Sequence, residues 1–135
     1  MWMQQLFEEL AATLDGAEEI EQVASKALLD AAPTADNAAT GQWQPLPDQI
    51  IDVLSREDAL PVCRLIAQSR FPWAPPQTSD DPKYIEHSLP KVHVELLGPD
   101  GLVKFDSLRL GLYGMLPNFE YGIRTHPAEE VFLML

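Results

Sequence analysis

The sequence predicts an α+β fold, a helical N-terminal half followed by antiparallel strands. Two observations carry that prediction. Apolar residues recur at helical spacing from Trp2 to Ala32, whereas from Lys91 onward they alternate with the two-residue period of a strand. Helices come first and strands second, without interleaving, which is the order of an α+β layer architecture and not of a parallel α/β sheet. A chain of 135 residues is one domain by length. Within it, residues 1–70 form the helical segment and 71–135 the β part.

The helical segment divides in order. Leu6, Leu10, Thr13 and Leu14 form one apolar stripe, and Ile20, Val23, Ala24, Ala27 and Leu28 form a second, with Gly16 between them as the break. Pro33 to Gly41 is rich in Ala, Asn, Asp and Thr and reads as a loop. Pro47-Asp48 opens a third helix through Ile50, Ile51 and Leu54. Ser55, with Asp58 three residues on, reads as the cap of a fourth that carries Leu60, Cys63, Leu65 and Ile66.

After Arg70 the run Phe71-Pro72-Trp73-Ala74-Pro75-Pro76 is unsuited to a helix interior, because each proline lacks an amide donor and clashes with the preceding turn. Trp43 and Trp73, both near prolines, are expected to pack between the helices and the sheet. Lys91 to Leu97 alternates and is rich in β-branched residues, so it reads as a strand. Gly98-Pro99-Asp100-Gly101 is a turn, and Leu102–Phe105 and Ser107–Tyr113 are further strands.

Composition narrows the partners. Nine Lys and Arg against 21 Asp and Glu leave a net charge of −12, which repels phosphate backbones, so nucleic acid and anionic membranes are poor partners. A small zwitterion suits such a field better. Cys63, the only cysteine, allows no internal disulfide and reads as a buried inert thiol. The N-terminal residues lack the basic start and long apolar run of a secretory signal, and no apolar stretch reaches spanning length; a cytoplasmic protein is expected.

The chemistry-bearing stretch is Tyr121-Gly-Ile-Arg124-Thr-His126-Pro-Ala-Glu129-Glu130-Val-Phe132. In an extended chain His126 and Glu130 share a face, and an imidazole beside a carboxylate suits a divalent transition metal. By spacing alone, His-x-x-x-Glu fits an exposed loop histidine with solvating glutamates better than a metal site. His93 faces opposite to Val92 and Val94 and reads as a solvent-side histidine, and His87 lies in a Ser/Pro-flanked connection.

The run Tyr-x-x-x-x-His-Pro-Ala-Glu-Glu, with Leu-Gly-Pro-Asp-Gly and Gly-Leu-Tyr upstream, resembles the first motif of the cupin-type dimethylsulfoniopropionate lyases. The helical front half is similar to that family's N-terminal extension. The resemblance implies a partial cupin β-barrel and a metal-dependent β-elimination that yields acrylate and dimethyl sulfide. It implies His126 and Glu130 as metal ligands and Tyr121 as a substrate-pocket tyrosine and the one motif-matched base. Arg124 and Tyr113 are expected to bind the zwitterionic carboxylate substrate. His and carboxylate donors suit iron, manganese, zinc, cobalt or nickel alike.

Three departures stand out. Arg124 replaces the first motif histidine and cannot ligate a metal, Phe132 stands where the family typically places a tyrosine, and the chain reaches Leu135 before the second motif. The alternative expectation is therefore a non-catalytic or degenerate cupin fragment that binds a small carboxylate or only self-associates, possible as a homo-oligomer.

Overall fold

The computed structural model describes residues 2–38, 40–76, 80–119 and 129–135. Among them are five helices and three strands in an α+β arrangement. The first helix, α1 (Trp2–Thr13), buries Met3, Leu6, Phe7, Leu10 and Ala11 along one stripe. It packs antiparallel in sequence order against α2 (Glu19–Ala35), which buries Ala24, Ala27, Leu28, Ala32 and Ala35. Alanines on the facing stripe let the two backbones approach, and Ser25 Oγ donates to the Ala11 carbonyl at 2.9 Å across the contact. The break between them falls around Gly16, as the sequence predicts.

The expected loop from Pro33 begins later than the sequence suggests, because α2 continues through Pro33 to Ala35. Pro33 lies in the last turn, where only one helical hydrogen bond is forgone, and burial of Ala32 and Ala35 in the core favours the extra turn. Directly after that turn, the Asp36 carboxylate accepts from Met3 N at 2.9 Å and Gln4 N at 3.4 Å. It thus caps the amide end of α1 from another helix.

Helix α3 (Asp48–Leu54) starts after Pro47 as expected. Ser55 does not cap the next helix. It ends α3, donating its amide to Ile51, and α4 (Pro61–Ala67) begins with proline at its first position, where a missing N–H costs nothing. Val62, Cys63, Leu65 and Ile66 enter the core from α4, and Cys63 is a buried free thiol. Phe71 and Trp73 follow, both buried, and stack edge-on with Trp2 in a row at 5.4 and 5.9 Å. Trp73 Nε1 donates to Ser69 Oγ at 3.2 Å, which satisfies the indole inside the core. Trp43, by contrast, is half exposed, with the Arg70 guanidinium 5.0 Å from its ring centre, and does not fill the interface expected of it.

A further helix, α5 (Pro82–Ser88), lies within the segment expected to be purely β. Asp81 caps it by accepting from Lys83 N and Tyr84 N, and Pro82 takes the first position. His87 sits in its last turn and not in a connection.

The strands β1 (Lys91–Gly98), β2 (Val103–Lys104) and β3 (Leu110–Met115) form one sheet in the order β2-β1-β3. β3 runs antiparallel to β1, with a register irregularity between Glu95 and Leu97. β2 runs parallel to β1, so the sheet is mixed and open, which corrects the all-antiparallel expectation. The cause is local. Gly98, at φ +153°, swings the chain out of β1, and the loop turns far enough for Leu102 N to reach Glu95 O and Phe105 N to reach Gly98 O. The chain therefore returns alongside β1 in the same direction.

Val92 and Val94, with Gly114 and Leu112 opposite them, face the helices. A Cβ at Gly114 would come within 2.9 Å of Ile50 Cδ1 and 3.0 Å of Val92 Cγ2, so the glycine is what lets α3 sit down on the sheet. Val94, Leu96, Leu97 and Leu112 join the helical side chains in one continuous core.

Candidate functional site

With the apolar face of the sheet covered, the opposite face carries the titratable groups. Alternation places Lys91, His93 and Glu95 on it from β1, and the register sets Met115, Tyr113 and Gly111 against them. His93 N donates to the Ala74 carbonyl at 2.8 Å and Ala74 N returns a bond of 3.4 Å, so the peptide groups of His93 point away from β3. His93 and Tyr113 are thus a non-hydrogen-bonded cross-strand pair, the kind whose side chains come closest. Their ring centres lie 4.4 Å apart at 35°.

Gly111 makes this arrangement possible. A Cβ there would lie 2.6 Å from His93 Nε2 and 2.9 Å from the Val94 carbonyl, so only a glycine lets the imidazole lie over β3. Burial pushes the His93 imidazole below its ordinary value, because the half-buried ring loses hydration that its charged form needs. The expected solvent-side histidine does face away from the valines, but it is a packed, neutral base.

Around this pair the charges are uneven. Lys91 is fully buried, and as a diagonal neighbour across the strands it lies within side-chain reach of Tyr113. Glu95 Oε1 accepts from Arg109 at 3.2 Å, and Arg109 also lies 3.6 Å from Asp100. Glu95 Oε2 is buried without a hydrogen-bond partner among the described residues.

Of the residues singled out in the sequence, His93 and Tyr113 are the two placed in this cluster. Tyr121, Arg124 and His126 lie outside the described residues, and with them the shared face expected of His126 and Glu130. Glu130 and Phe132 are exposed, in a segment from Glu129 to Leu135 without helix or strand. Among the described residues no three His, Cys, Asp or Glu side chains stand close enough to hold a metal ion. The sequence reads His93 as a solvent-side histidine because alternation reveals a residue's face but not its cross-strand partner.

Among the described residues, no helix is long and apolar enough to cross a membrane. No family model matches this chain, and no curated protein or solved structure matches it.

Proposed function

We propose that this chain serves a cupin-type carbon–sulfur lyase that cleaves dimethylsulfoniopropionate to acrylate and dimethyl sulfide, acting on a small zwitterion in the cytoplasm. The observation that carries this reading is the run from Tyr121 to Glu130, which resembles the first motif of that family. The layout supports it: a helical layer covers one face of a sheet whose other face carries titratable groups.

The reaction sets clear demands. A base takes the proton from the carbon next to the carboxylate, the C–H electron pair becomes the new double bond, and the C–S pair leaves with sulfur as dimethyl sulfide. Tyr121 is the base in this proposal, and Arg124 holds the substrate carboxylate in a two-pronged hydrogen bond while its charge draws the phenol toward ionisation. Tyr113 lines the pocket. His126 and Glu130 are the metal donors that the motif offers, but a tight transition-metal site takes three or four. That donor set does not by itself fit a metal, and no step here runs through one.

Gas chromatography of dimethyl sulfide above the purified protein supplied with dimethylsulfoniopropionate tests the reading. Release is expected, and at least a hundredfold loss in Tyr121→Phe, the usual scale for removing a general base. Absence of release from the intact chain would sink it. A second reading would then stand, a non-catalytic domain that binds a small carboxylate. It is favoured by Phe132, a side chain unable to take a proton where lyases of the family typically carry a tyrosine.

A further inference from the structure

We propose that the bond between Asp15 and Gly16 is a site of covalent self-modification, where the chain closes to a succinimide and reopens as a β-linked isoaspartate. The other Asp-Gly pair of the chain, Asp100 and Gly101, is protected by the fold. This inference is independent of the lyase reading, since it rests on the surroundings of two identical dipeptides.

The chemistry needs only water. The glycine amide nitrogen bonds to the carboxyl carbon of the Asp side chain, and the amide proton leaves with the carboxyl hydroxyl as water. Hydrolysis of the ring at the original peptide carbonyl then takes up a water and leaves the chain running through the side chain, one backbone carbon longer. Ring closure is favoured by a nitrogen with no hydrogen bond to give up, a backbone free to turn, and a following residue without a side chain.

These conditions meet at Asp15. It is exposed and lies with Leu14 and Gly16 between α1 and α2, in neither helix. Leu14 N bonds back into α1 at Leu10 O, 3.0 Å away, and Glu21 N bonds to Glu18 O at 3.1 Å as α2 starts. Between these anchors the Gly16 amide donates no hydrogen bond among the described residues. Asp15 and Gly16 also line an open groove with Ser25, Lys26 and Leu29, so water reaches the ring.

At Asp100 the same nitrogen is withheld. Gly101 N donates to Gly98 O at 3.1 Å, and the next amide, Leu102 N, donates to Glu95 O at 3.0 Å. A Cβ on Gly101 would stand 2.8 Å from Gly98 N and from Leu97 C, so the residue is pressed onto the end of β1 and its peptide has no room to turn. Exposure does not protect this pair, because the Asp100 side chain is 81% exposed. Hydrogen bonding of the nitrogen and close packing of the glycine do.

The intact chain, held folded or in urea in heavy-oxygen water and then cut with trypsin, tests the proposal. Asp15 falls in the peptide that ends at Lys26, and Asp100 in the peptide from Val92 to Lys104. Electron-transfer fragmentation distinguishes the β-linked from the α-linked form of each. In the folded chain, β-linked product carrying a heavy oxygen is expected at Asp15 at least about tenfold faster than at Asp100, where hydrogen bonds must break first. In urea the two rates should converge. Equal rates in the folded chain would overturn the proposal, as would an Asp15 that stays α-linked there. A difference that persists unchanged in urea would also overturn it, by assigning the contrast to neighbouring side chains and not to the fold.

Discussion

A histidine packed against a tyrosine inside a sheet ties stability to pH in a direction that the structure fixes. Burial lowers the His93 pKa beneath its ordinary 6.5, so the folded chain binds fewer protons at this residue than the unfolded chain does. Above about pH 6.5 the group is neutral in both states and contributes no pH dependence. As pH falls through that value the unfolded state gains a proton that the folded state does not, and stability declines until the folded pKa is passed. Urea unfolding of the native chain and of His93→Gln, compared at mildly alkaline and mildly acidic pH, isolates this contribution from that of the other histidines. The native chain should lose more stability on acidification than the variant; identical losses would mean that the imidazole is hydrated. The face that His93 occupies was legible from its place between two valines. Its partner was not, because the pairing with Tyr113 depends on a register that only the folded sheet defines.

Among the elements, legibility follows the range of the interactions that set their limits. The break at Gly16 and the extent of β1 rest on neighbours in sequence, and both were readable from the two hydrophobic periods. α5 was missed although Asp81 and Pro82 spell a helix start, because seven residues are too few for a helical period to stand out. The parallel pairing of β2 was hidden for a different reason, since a Gly-Pro-Asp-Gly turn ordinarily announces reversal and the full loop depends on Gly98 at positive φ. The cap of α1 was the least accessible, as Asp36 lies 33 residues from the Met3 amide that it accepts. That bond is also testable. Asp36→Ala removes an acceptor and a favourable charge from the amide end of α1 and should cost about 1 kcal/mol of stability. Asp36→Asn, which keeps the acceptor, should recover most of it. Denaturant midpoints that leave both variants at the native value would show that Asp36 does not cap α1.

For the whole molecule, the distribution of apolar surface argues that the protein associates with itself. The helical layer and one face of the sheet share a single core, whereas Tyr113, Met115 and Phe119 near the β3 edge, and Val131 through Leu135, are all exposed. β3 is an outer strand, bonded to β1 on one side only among the described residues, and carries no charged side chain from Leu110 to Met115. Outer strands of natural sheets are ordinarily guarded by charge, proline or a cover, because unpaired peptide groups beside apolar side chains recruit another strand. The net charge of −12 opposes close approach of two copies at low salt, and screening shortens the range of that repulsion to about 8 Å at physiological ionic strength. Sedimentation velocity should therefore show a dimer or larger species whose population grows with protein concentration and with salt. Met115→Lys sets a cation on the outer strand without touching the core, and it should shift the distribution toward monomer at equal concentration. A chain that stays monomeric across the concentration range, with and without salt, would mean that the β3 edge is covered within the same molecule.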